Sequence, residues 1–129
     1  MEDGKDLRDS RIHVRTEVNI EDGKIEGYKK LIQDMSRAVE ANEPETTRYQ
    51  FYLDSPETKC IVWETYTSSE AALAHINGAA SQTILPKIFN ISEMTKVEVY
   101  GKPSEELRRA IIGSSPQTYN LFAGFSRCI

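Results

Sequence analysis

Residues 46–76 read TTRYQFYLDSPETKCIVWETYTSSEAALAHI, and this stretch holds three elements in succession. From Thr46 to Leu53, Tyr49, Phe51 and Leu53 fall on one face and Arg48, Gln50 and Tyr52 on the other, the period of two that marks a strand. Asp54-Ser55-Pro56-Glu57 is turn chemistry, and Lys59 to Thr67 is rich in the β-branched and aromatic residues that favour a second strand. The short connection makes the two a hairpin. Thr67-Ser68-Ser69-Glu70 then has the form of a capping box, a hydroxyl followed three residues later by Glu, and predicts a helix through Ala71, Ala72, Leu73 and Ile76 that stops at Asn77-Gly78.

The same reading extends to both sides. Upstream, Ile12, Val14, Thr16, Val18 and Ile20 alternate with His13, Arg15, Glu17 and Asn19 as a strand, and Glu21-Asp22-Gly23 breaks it. A helix is expected from about Gly23, with Asp22 as N-cap. Ile25, Tyr28, Leu31, Ile32, Met35 and Val39 draw its apolar stripe, and Asn42 and Pro44 end it. Downstream, a helical piece over about 80–90 must kink at Pro86 or restart there, and Met94 to Tyr100 is a further strand. Ser104 to Arg109 opens a short helix with acids first and bases last, as the helix dipole favours, and Gly113 and Pro116 close it. The order strand, helix, strand, strand, helix, strand is the split βαβ arrangement of an α+β, ferredoxin-like fold with its helices on one face of the sheet. Residues 1–10 are expected to be a mobile tail, 11–101 the domain, and 102–129 a C-terminal helix and docking tail.

Two features call for a second copy of the chain. A sheet with helices on one side leaves its other face open. After the fold is complete the chain continues Tyr119-Asn120-Leu121-Phe122-Ala123-Gly124-Phe125, which is too aromatic for a free end. A homodimer covers both, with residues 117–127 docked on the partner or along a sheet edge and Phe122 and Phe125 as anchors.

Composition excludes other classes. The 129 residues are 39% hydrophobic and 28% charged, an ordinary globular balance. A formal net charge of −4 argues against a phosphate-binding, nucleic-acid function. An RNA-recognition domain shares the strand order, but Cys60-Ile61-Val62-Trp63-Glu64-Thr65-Tyr66 puts an acid where such domains need basic character. No apolar run reaches membrane-spanning length, and the polar N-terminus has no secretion signal, so a cytoplasmic protein is expected. Cys60 and Cys128 lack metal or redox spacing, and His13 and His75 have no second ligand at metal spacing. No metal site, phosphate-gripping Gly loop or nucleophile elbow is present, and no cofactor is expected.

Asn42-Glu43-Pro44, then Tyr49, then Glu64-Thr65-Tyr66 running into Ser69-Glu70-Ala71 and Ala74-His75, together resemble the antibiotic biosynthesis monooxygenase domain, and most closely its quinol monooxygenase branch. Gly101-Lys102-Pro103-Ser104 and Gly124-Phe125-Ser126-Arg127 are similar to longer members. The resemblance covers about residues 12–127; Glu45 departs from it, standing where the family's Glu-Pro-Gly turn has Gly. It implies a dimeric α/β barrel and, for some members, oxidation of quinols or polyketide phenols by oxygen without metal or flavin. Haem-degrading relatives are a poorer match.

On that reading the substrate supplies the electrons and the protein supplies deprotonation, dry enclosure and orientation. His75 or Glu64 is the candidate base, with Trp63, Tyr66, Tyr52 and Arg48 as substrate contacts. Each has a plainer alternative. His75 can be a helix-packing histidine, Trp63 a core filler, and Glu64 an ion-pair partner of Arg48 or Lys96 across strands, which is the slightly favoured reading of Glu64. A pocket is expected to hold His75 with either Trp63 or the opposite, Glu64–Tyr66 face of the strand. A non-catalytic homodimer that binds a small molecule, or is purely structural, is the alternative function.

Overall fold

The computed structural model describes residues 10–127, so the expectations for the extreme N-terminus and for Cys128 lie outside the described residues. Five strands form one sheet in the order β2-β3-β1-β4-β5: β1 is Ile12–Ile20, β2 Thr46–Leu53, β3 Lys59–Tyr66, β4 Ser92–Tyr100 and β5 Gln117–Tyr119. The first four pair antiparallel, and β5 adds parallel to β4 at the edge. Helix α1 (Ile25–Asn42) connects β1 to β2. Helices α2 (Ser69–Asn77), α3 (Ala79–Thr83) and α4 (Leu85–Phe89) connect β3 to β4, and α5 (Glu105–Ile111) with a 3-10 turn leads to β5. This is the α+β, ferredoxin-like arrangement expected from the alternating patterns, extended by one strand.

Several boundaries moved for local reasons. Gly23 adopts φ +80°, and Lys24 N–H closes a turn on the Glu21 carbonyl at 3.0 Å, so the chain is still turning at Asp22 and α1 starts at Ile25 without a side-chain cap. At α2 the cap is Ser68, whose hydroxyl accepts from Ala71 N–H at 3.1 Å; the Thr67 hydroxyl donates instead to Glu45. The 80–90 segment divides at Ile84, and Pro86 sits in the first turn of α4, where its missing N–H costs no bond. Strand β4 begins at Ser92, two residues early, and a bulge between Glu17 and Val18 offsets its register against β1.

The core lies between the sheet and the helices. Val18, Cys60 and Val62 pack there with Tyr28, Ile32, Met35 and Val39 of α1. At the other end Ile12, Tyr66 and Val99 pack with Ala71, Ala72 and Leu107. The opposite face of the sheet carries no helix. Trp63 lies there beside Tyr100, with the Arg48 guanidinium 5.1 Å from its ring centre, and Arg15 bridges Glu17 at 2.7 Å and Glu98 at 3.3 Å. Tyr119 of β5 continues this surface by stacking on Tyr100, with ring centres 5.1 Å apart. Gly101 follows β4, donates its N–H to the Tyr119 carbonyl at 2.9 Å, and passes close to the backbone just before β1. Its φ is +126°, and a Cβ would stand 2.7 Å from the Arg11 carbonyl oxygen, so only glycine fits without a shift.

Candidate active site

Side chains of β1, β2, β3 and β4 that point towards the helices leave a cavity of about 380 Å³ between sheet and helices. Its walls are mostly aliphatic and aromatic, and they include Phe89 and Met94, both exposed. Glu64 and His75 are the ionisable exceptions, and among the described residues no Lys or Arg lines it.

Register explains why Glu64 is there. On β3 it stands opposite Tyr49 of β2 and Val14 of β1, in phase with Val62 and Tyr66. Tyr66 donates its hydroxyl hydrogen to Glu64 Oε1. Enclosure among apolar walls pushes the Glu64 carboxyl above its usual range, against the smaller opposing effects of His75 and the Tyr66 hydroxyl. Burial likewise pushes the Tyr66 and Tyr49 phenols upward, with the Glu64 charge adding to both, so these rings stay neutral donors.

His75 reaches the same cavity from α2. It is 7% exposed, and its ring lies between Tyr49 and Tyr66, with centres 5.3 and 5.5 Å away. Its Nδ1 lies 2.7 Å from Glu43 Oε1. Glu43 caps the C-terminal end of α1, and its Oε1 also accepts from the Thr46 hydroxyl at 3.2 Å. One carboxyl, one imidazole, three phenols, counting Tyr28, and the hydroxyl residues Thr16, Ser92 and Ser114 thus line a largely apolar space.

Of the six residues singled out in the sequence, the structure brings His75, Glu64 and Tyr66 together. Trp63, Arg48 and Tyr52 are on the opposite face of the sheet: Arg48 pairs with Thr65 and stacks on Trp63, and Tyr52 is exposed. The expectation that Arg48 and Tyr52 reach the pocket of Glu64 is therefore corrected, because alternate residues of β2 and β3 point to opposite faces. The ion pair of Glu64 with Arg48 or Lys96 fails for the same reason. Lys96 stands opposite Glu17 and bonds Glu98, on the open face. Two contributors were missed. Tyr49 and Phe51, which share a face of β2, line the cavity, and Glu43, read only as part of a turn motif, partners His75 from outside it. The alternation of β2 carried the signal for Tyr49; nothing local carried one for the contact between Glu43 and His75, 32 residues apart in sequence.

Solved structures share this fold. MupZ from Pseudomonas fluorescens is 21% identical and superposes with a TM-score of 0.79, over 92% of this chain and 95% of its own. A structure named a putative antibiotic biosynthesis monooxygenase from Caulobacter crescentus is 19% identical, with a TM-score of 0.65 over 81% of this chain and 100% of its own. Another of that name, from Nitrosomonas europaea, is 18% identical, with a TM-score of 0.63 over 72% of this chain and 90% of its own. No protein-family model and no curated protein matches the chain.

Proposed function

We propose, from a fold shared with structures named putative antibiotic biosynthesis monooxygenases, that this chain is a cofactor-independent monooxygenase. Its substrate is a small phenolic or quinol-type aromatic, and its oxidant is molecular oxygen. The observation that carries the reading is the set of Glu64, Tyr66 and His75 in a largely apolar cavity that, among the described residues, has no cationic side chains. Such a space favours a neutral, flat, apolar molecule with an acidic hydroxyl over an anionic one.

The two ionisable groups divide the work. His75 is the base: its Nε2 takes the proton of the bound phenol. Glu64, whose carboxyl is pushed above its usual range by burial, serves as the acid and donates a hydrogen bond to oxygen as charge develops there. The phenolate passes one electron to oxygen, and the radical pair closes a carbon–oxygen bond at the ring. The proton held by His75 moves to the distal oxygen, giving a ring hydroperoxide. His75 then removes the ring C–H proton while the O–O bond breaks, a C=O bond forms, and hydroxide leaves with that proton as water. The balance is phenol plus O₂ to quinone plus water, four electrons passing from substrate to oxygen.

The working unit in this reading is a homodimer. The open face presents Trp63, Tyr100 and Tyr119 among paired charges, and Leu121, Phe122 and Phe125, which follow β5 in the chain, are exposed. A second copy removes this apolar surface from water. Oxygen uptake by metal-free protein against a panel of quinols and polyhydroxy aromatics tests the function. Consumption of one oxygen per quinone formed is expected for at least one of them. No uptake across the panel contradicts the reading.

A further inference from the structure

The cavity accounts for one side of the His75 ring. The other side is turned to a carboxylate that the cavity does not contain. Glu43 ends α1, its backbone N–H bonding the Val39 carbonyl at 2.8 Å, and Pro44 prevents the helix from continuing. Its side chain, 12% exposed, crosses to α2 and places Oε1 2.7 Å from His75 Nδ1. Oε2 points to Gly78, where a Cβ would lie 3.2 Å from it and 3.0 Å from the Ala74 carbonyl oxygen. A side chain at 78 would crowd the carboxylate in this position.

Behind Glu43 lies a second, separate groove of about 410 Å³. The small residues Ala71, Ala74 and Gly78 line it together with Glu43 and Thr46, and Glu45 and Glu70 are the other ionisable residues of its lining. Glu43 therefore stands between the cavity's imidazole and a surface groove with room for small solutes.

We propose that Glu43 is the positioning residue of His75, fixing its proton on Nδ1 so that the bare Nε2 faces the cavity, and that it does so from a groove through which a small carboxylate can replace it. The inference rests on His75 being the base of the proposed reaction. The two ring nitrogens of a neutral imidazole are distinct, and the partner of one decides the state of the other. An ionised carboxylate has no hydrogen to give, so Nδ1 must be the donor, and Nε2 is left with its lone pair. As His75 takes a proton from substrate, the negative Glu43 stabilises the imidazolium that forms.

Nitrogen-15 NMR of histidine-labelled protein tests the placement without any substrate. In the parent, Nδ1 of His75 should carry the proton and Nε2 should show the shift of an unprotonated nitrogen; a protonated Nε2 beside a bare Nδ1 overturns the proposal. In Glu43→Ala the two tautomers should mix, and added formate should restore the parent signals in a saturable way. Filling the groove in the double variant Glu43→Ala/Ala74→Leu should abolish that rescue. Parent-like signals in Glu43→Ala without formate, or no response of that variant to formate, overturn it. Glu43→Gln, which keeps the bulk if Glu43→Ala does not fold, should lower kcat on an active quinol by about 10²-fold, the lower end of a positioned base's contribution, with KM little changed. Parent-like kcat in that variant overturns the proposal. A parent protein that oxidises no quinol removes the functional reading by itself, and the NMR arm still decides what Glu43 does to His75.

Discussion

Replacing His75 by Asn should reduce oxygen uptake by roughly 10²–10⁴-fold, the contribution of a positioned general base, while the protein stays folded. Asn is the informative choice because its amide nitrogen can occupy the place of the ring Nδ1, 2.7 Å from Glu43 Oε1, and keep that buried carboxylate partnered. Ala would remove the ring that packs against Tyr49 and Tyr66 and strand the carboxylate, which costs about 1–3 kcal/mol or more for a charged group and confuses chemistry with folding. Circular dichroism and melting temperature establish that the fold is kept; stopped or continuous oxygen electrode traces give kcat and KM. Parent-like kcat in His75→Asn removes His75 as the base and leaves Glu64 as the other candidate.

Ending the chain after Ser115 should raise the dimer dissociation constant at least about tenfold, equivalent to 1.4 kcal/mol, and lower the melting temperature at fixed concentration. Two losses combine. Within the subunit, β5 disappears from the edge of β4, together with the Gly101 N–H bond to the Tyr119 carbonyl at 2.9 Å and the stacking of Tyr119 on Tyr100. Between subunits, the anchors disappear. Phe122 is 99% exposed and Phe125 79% exposed on the single chain, and in the proposed dimer the partner buries them. Each Phe so buried contributes roughly 1.5–3 kcal/mol, offset in part by about 1–2 kcal/mol for every backbone residue that becomes ordered. Sedimentation across a concentration series measures the effect. An unchanged dissociation constant in the truncated protein would show that the tail does not dock on the partner.

The contrast between what the sequence disclosed and what it withheld follows from the range of the interactions. Tyr49, Phe51 and Leu53 on one phase of β2, and Val62, Glu64 and Tyr66 on one phase of β3, are local alternations, and they placed the hairpin correctly. The same alternation predicted that Trp63 and the Glu64–Tyr66 pair point to opposite faces. It could not say which phase of β2 shares a face with Glu64, because register is a property of the pair of strands and not of either one. That missing fact turned Arg48 and Tyr52 into expected pocket residues and gave Glu64 an ion pair it does not make. The partnership of Glu43 with His75 is longer in range still: it depends on how the end of α1 lies against α2, which helix packing decides. The caps slipped by one or two residues because Gly23 and Thr67 serve the turn and Glu45 rather than the helix.

The claim that the cavity strips the proton from a bound phenol is tested most directly without oxygen. A phenol or naphthol whose own pKa lies well above neutral, titrated into the protein anaerobically at pH 7, should develop the red-shifted absorption of its phenolate as it binds. In His75→Asn the same compound should bind and keep the spectrum of the neutral phenol. A bound phenol that stays protonated in the parent protein, or a phenolate band that persists undiminished in His75→Asn, would contradict the account.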